Sequence, residues 1–164
     1  MGGNGPPQRP RLGAKFDREK LLAMNGDPSR GREVFEKVAQ CSSCHVAGGV
    51  EGKAFGPDLT HIAAKYDRRQ LLEQIVEPSK TIAEGFVGYT VRTADGDAFS
   101  GLKVSQDDKE IVLRDATGEL VHIALAQVKG GVVPQAGSIM PEGLLDNLEP
   151  QQAADLLAFV AGQK

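Results

Sequence analysis

The sequence predicts a mainly α-helical domain with an antiparallel β-sheet inserted between its second and last helices. Three observations predict this class. Apolar residues recur at helical spacing around Val34 and Phe35, over Leu71–Val76, and from Ala153 to Val160. Over 84–125 the period changes, and apolar residues alternate in short runs. Turn signals at Asp95-Gly96-Asp97, Gln106-Asp107-Asp108 and Thr117-Gly118 divide that stretch into four strands. The expected organisation is a leader over 1–25 and one domain over 26–164, with 84–125 as the insertion.

Residues 1–15, rich in Gly and Pro, read as a disordered or extended leader. A short helix is expected between Asp17 and Met24, broken by Asn25-Gly26. Asp27-Pro28 is a strong helix start, with Asp as the cap and Pro in the first turn. Gly31, Val34, Phe35 and Val38 then form a narrow apolar stripe that runs into Cys41. A Gly-rich loop follows, from Gly48 to Gly56. Asp67 and Gln70 have capping-box spacing, Leu71, Leu72, Ile75 and Val76 share one face of the second helix, and Pro78 ends it. In the strand block, Val87, Tyr89, Val91, Leu102, Val104, Ile111 and Leu113 are too apolar to face water. The sheet is therefore expected to lie on the helical body, over a cofactor, or against a partner. After Gly130-Gly131 the chain reads as irregular until Pro150 opens the last helix, where Glu149 takes a cap position better suited to Ser, Thr, Asp or Asn.

Composition narrows the function classes. The chain of 164 residues has no Trp, two Tyr and six Phe, a thin aromatic supply that a flat apolar cofactor would supplement. The net charge of −3 comes without any basic cluster, which speaks against nucleic-acid binding. No apolar run approaches the roughly 20 residues of a membrane span. Residues 1–10 hold no apolar signal core, so an exported protein is expected to have lost its signal or to be larger than this chain.

The chemistry is carried by Cys41-Ser42-Ser43-Cys44-His45, which has the spacing of a c-type haem attachment site. Two thiols so spaced can each add to a vinyl group of one porphyrin. The adjacent imidazole then reaches the iron, and its other nitrogen donates to a backbone carbonyl. Two other readings use the same residues. A redox disulfide belongs at a strand-to-helix junction, whereas here a helix precedes the motif and a Gly-rich loop follows. A zinc site would need Cys41, Cys44 and two of His45, His61 and His122, without the closely spaced second ligand pair such sites use.

For the sixth iron ligand, Met/His ligation is the usual electron-transfer arrangement. Met1 lies in the leader and Met24 reads as local packing. Met140 is the candidate, in Ser138-Ile139-Met140-Pro141, because Pro141 biases it away from helix and a stiff loop loses less entropy on ligation. His61 is the competing ligand and reads as a partly exposed residue near the loop; His122 alternates out of phase with its apolar neighbours and reads as solvent-facing. Tyr66, Arg68 and Arg69 follow the loop and are candidate propionate partners, with a solvated cationic helix start as the other reading.

These features resemble a class I cytochrome c: Gly31 and Phe35 on the helix before the motif, Phe159 on the terminal helix that crosses it, Gly56-Pro57-Asp58-Leu59, and Met140-Pro141. A narrower resemblance runs from Gly26 to the C-terminus. Through Gly26-Asp27-Pro28-Ser29-Arg30-Gly31, Glu77-Pro78-Ser79-Lys80, the strand block and Ser138 to Leu144, the chain is similar to haem-binding domains of planctomycete and verrucomicrobial type.

The resemblance implies one covalent haem c, with Pro57 and Leu59 packed on the histidine side. It implies a one-electron carrier, not itself an enzyme, exported or periplasmic, serving a redox partner such as a sugar- or alcohol-dehydrogenase-like domain of a larger protein. The alternatives are a sensor or binder of CO, NO or O2 with a displaceable Met140, and a haem peroxidase, for which no distal acid–base cluster is evident.

Overall fold

A computed structural model describes residues 7–164. The first residues of the expected leader, 1–6, lie outside the described residues. Asp17 caps α1 (Arg18–Ala23), its carboxylate accepting from the Lys20 N–H. Asp27 caps α2 (Pro28–Glu33), accepting from the N–H groups of Ser29 and Arg30. This helix continues into a π-helical turn over Val34–Val38. After the Cys motif come a short α3 (Ile62–Lys65) and α4 (Arg68–Val76), the latter opened by the expected Asp67/Gln70 capping box. The last helix, α5, spans Pro150–Ala161. Glu149 serves at its start because Gln152 reaches back, its Oε1 accepting from the Glu149 N–H at 2.9 Å.

α2 and α5 meet almost backbone to backbone. A Cβ on Gly31 would stand 1.8 Å from the Asp155 carbonyl oxygen, and one on Gly26 would stand 2.0 Å from that of Ala154. Just beyond the crossing, the Phe35 and Phe159 rings pack with centroids 5.3 Å apart. The buried Asp155 carboxylate accepts from Arg30 Nε at 2.8 Å and from the Asp27 N–H at 2.8 Å. Burial alone would raise its pKa, but hydrogen bonds from Arg30, the Asp27 N–H and Gln151 outweigh it and hold the group below the usual carboxylate range. The segment before α1 is extended and fastened to this body: the N–H groups of Leu12 and Gly13 donate to the carbonyls of Leu148 and Asp146 at 2.9 Å each, and Leu12 and Phe16 pack on the core.

The mainly-α class is overturned. The described residues are 30% helix and 22% strand, and their sheet has five antiparallel strands, not four. They are β1 (Gly88–Thr93), β2 (Ala98–Gln106), β3 (Glu110–Arg114), β4 (Leu120–Ala124) and β5 (Val128–Pro134). The fifth strand hides from its sequence pattern because Gly130 and Gly131, both at positive φ, sit in a bulge between the Val91↔Val132 and Arg92↔Lys129 pairs. A Gly pair that reads as a break is here an irregularity inside a strand.

The sheet is curled. Its strand order is β4-β3-β2-β1-β5, so β4 and β5 are opposite edges, yet only the 3₁₀ turn Leu125–Gln127 joins them. Laid flat, those edges would lie roughly 19 Å apart at about 4.8 Å per strand spacing, and such a turn reaches about 10 Å. The strands therefore wrap around their own core of Val91, Ile111, Leu113 and Ile123, with Tyr89, Phe99, Val121 and Val132 against it. Most of the apolar surface expected to need the body, a cofactor or a partner is thus covered by the sheet itself. Leu102 departs from this set: it pairs with Gly88 on the other face, and Val104, beside a register shift, is 48% exposed.

Candidate functional site

The main cavity, of about 420 Å³, lies in the helical body. Cys41, Cys44, His45, Pro57, Leu59 and Met140 all line it. Its other walls are mostly apolar: Phe35 and Leu71 from the helical core, Leu156 and Val160 from α5, Phe86 and Leu102 from the sheet side. The size falls within the roughly 300–1,000 Å³ range of sites that enclose a cofactor.

Local backbone structure explains how the motif is presented. The π-helical turn ends at Val38, and Gln40 then adopts φ +55°, the one non-Gly residue with positive φ among the described residues. This left-handed step turns the chain sharply into the 3₁₀ turn Cys41–Ser43. The following loop is laced onto the motif: the Lys53 N–H donates to Ser42 O at 3.1 Å, the Gly56 N–H to Cys44 O at 2.6 Å, and the Leu59 N–H to Val46 O at 2.7 Å. Two glycines permit that approach. A Cβ on Gly52 would stand 2.0 Å from the His45 carbonyl oxygen, and one on Gly56 would stand 2.5 Å from Cε1 of the His45 ring.

The His45 ring is oriented from behind. Its Nδ1 lies 2.7 Å from the Pro57 carbonyl oxygen, so Nδ1–H donates there and Nε2 keeps its lone pair. This carbonyl is the partner that the sequence could not name. Burial lowers the His45 pKa, the hydrogen bond to Pro57 opposing in part, which favours the neutral ring a metal requires. Burial also pushes the Cys41 thiol up to about 11. Reactive thiols of redox Cys-x-x-Cys pairs are shifted the opposite way, which argues against the disulfide-exchange reading.

The remaining candidates separate cleanly. His61 is exposed and does not line the cavity. His122 is exposed on β4, its Nδ1 3.3 Å from Glu110. Neither joins Cys41 and Cys44, so the zinc donor set does not assemble. Met24 packs on the helical core. Of the propionate candidates only Tyr66 lines the cavity; Arg68 donates to the Met24 carbonyl at 2.8 Å and Arg69 is paired with Glu19. Lys65, which sequence reasoning passed over, lines the cavity beside Tyr66, its Nζ 5.0 Å from that ring. The polar residues that line the cavity are Lys65, Tyr66 and Gln74, with Gln40, Ser43, Thr81 and Ser138.

Two thiols, an imidazole with a free Nε2 and a thioether converge on one apolar cavity, so the residues fit a haem attached through both cysteines. The family model of cytochrome c matches residues 28–113, just over half of the chain. The matched stretch holds the motif and its loop and stops at β3, short of Met140. No curated protein matches the sequence.

Proposed function

We propose that this chain, which belongs to the cytochrome c family, is a mono-haem electron carrier with Cys41 and Cys44 as the attachment thiols and His45 and Met140 as the axial ligands. A haem c, when bound, supplies an iron that alternates between ferrous and ferric states. The observation that carries the reading is the convergence of those four side chains on one apolar cavity. Pro57 holds the His45 ring correctly turned through its carbonyl, and burial favours the neutral imidazole. Leu59, Leu71, Leu156 and Val160 exclude water from the cavity, and a thioether ligand raises the reduction potential. Lys65 and Tyr66 are the groups we assign to the propionates.

The partner we propose is a redox protein or domain, a sugar- or alcohol-dehydrogenase-like unit of a larger exported protein, with the chain acting in the periplasm or an equivalent exported compartment. What supports this is the narrower likeness to planctomycete and verrucomicrobial haem-binding domains, carried by Glu77-Pro78-Ser79-Lys80 and by Ser138 to Leu144. No described helix is long and apolar enough to cross a membrane. Electron transfer, not substrate chemistry, is the role assigned to this chain.

The test is ligand substitution. Met140→Ala should abolish the weak long-wavelength sulfur-to-iron band of the oxidised protein, open the ferrous iron to CO and lower the potential. His61→Ala should change none of these. The opposite pattern would remove Met140 from the site, and rapid CO binding to the unsubstituted protein would favour a ligand sensor.

A further inference from the structure

The segment that carries Met140 is held at two places, neither of which belongs to the motif. At its start it grows directly out of the sheet. β5 ends at Pro134, and Gln135 extends the ladder by one step, its N–H donating to Gly88 O at 2.8 Å. The Gln135 side chain adds a second tie, Nε2 to Thr90 Oγ1 at 3.2 Å. Gly88 makes room for this: a Cβ there would stand 2.5 Å from Gln135 Oε1 and 2.8 Å from Cγ1 of Ile139, the neighbour of Met140. Farther along, the Ser138 N–H donates to Ser79 Oγ at 3.0 Å, and the Met140 N–H donates to Ser138 Oγ at 3.1 Å. Ser79 lies in the turn just after α4.

We propose that Ser79, Ser138 and Gln135, with the close contact at Gly88, are positioning residues that hold Met140 on the haem iron, the curled sheet and the end of α4 acting as the two anchors of its loop. This rests on Met140 being the axial ligand. The physical reason is entropic. A loop of ordinary flexibility lets the thioether leave and return freely. A loop whose backbone is tied at two places loses little entropy on ligation, so the bound state is favoured and exogenous ligands compete poorly. The serines act through the loop and not on the iron. Each hydrogen bond, at its usual net worth, should change ligand occupancy by about two- to tenfold.

The experiment uses the haem-loaded full chain. Imidazole binding to the ferric protein is followed through loss of the long-wavelength band, alongside hydrogen exchange at the Met140 amide. Ser138→Ala and Ser79→Ala should each speed imidazole binding by about two- to tenfold and raise Met140 amide exchange, and Ser138→Thr, which keeps the hydroxyl, should restore both. Gly88→Ala should act the same way from the sheet side. Thr117→Ala, which removes a hydroxyl bonded at 2.6 Å to Asp115 in the turn between β3 and β4, should leave both rates unchanged. If the unsubstituted protein lacks the band, Met140 is not the ligand and the proposal falls with that reading. If the band is present and Ser138→Ala and Ser79→Ala exchange at the parent rate, Met140 stays as ligand and the positioning role is refuted.

Discussion

The helical body and the curled sheet bury apolar surface in opposite ways. In the body, large core side chains such as Phe35, Leu71, Leu156 and Val160 also form the walls of the cavity, so core and site are one object. In the sheet, Val91, Ile111 and Leu113 are at most 1% exposed and pack on one another, with no part in the cavity. A helical body built this way draws its stability partly from what it encloses, while the sheet is stable through its own strands. The sheet reaches the site by its margin, through Leu102 in the cavity wall, Gly88 against Ile139, Thr90 bonded to Gln135, and Arg114 Nη1 3.5 Å from the Ala54 carbonyl.

The largest effect that would break this contrast is loss of attachment. Replacing Cys41 and Cys44 by Ala should leave little stable holoprotein, and circular dichroism should show the helical signal falling while strand signal persists. Loss of both signals together would make the two regions a single cooperative unit. Next come paired substitutions in the two cores. Gly31→Ala forces a methyl against the Asp155 carbonyl and should destabilise the body by about 3 kcal/mol, with a changed haem spectrum. Ile111→Ala should cost a similar amount, about 3 kcal/mol, by opening a cavity in the sheet, with the haem spectrum unmoved. Thermal melts followed at a haem band and at a strand band separate these outcomes.

A smaller effect concerns Asp155 and has a sign in pH. Its pKa is depressed in the folded protein, so its contribution is present above the ordinary carboxylate pKa and is lost as pH falls through the lower folded value. Arg30 is 59% exposed, which screens the pair, so Asp155→Asn should cost only about 1–2 kcal/mol at neutral pH. The difference between parent and variant should shrink as the medium is acidified. A difference that grew in acid would mean that Asp155 is protonated in the native protein.

The body was far more legible in the sequence than the sheet, for physical reasons. Helix starts are written in local chemistry: Asp27-Pro28 and the Asp67/Gln70 box each act within one turn of the residues that reveal them. The glycines were legible where the need was a close crossing, as at Gly31. They were misread where the need was a bulge, as at Gly130 and Gly131, and that hid β5. Curling of the sheet is a global property, set by which edges a short turn joins, and alternation within single strands does not report it. At the site, spacing marks the attachment motif and loop chemistry marks Met140, while Pro57 and Leu59 enter through the family resemblance; all of them line the cavity. Arg68 and Arg69 were placed near the cavity by sequence distance alone, and the helical turn of α4 carries both away. The Pro57 carbonyl and the left-handed backbone of Gln40 carry no side-chain signal that a sequence reading can use.

The proposed function depends first on one haem bound covalently through Cys41 and Cys44. Intact-protein mass spectrometry after acid–acetone extraction tests it most directly. A single species is expected at the mass of the chain plus one haem, shifted to the bare chain in the double Cys variant, with no pigment in the organic layer. Release of all haem into that layer, with the polypeptide at its unmodified mass, would contradict it.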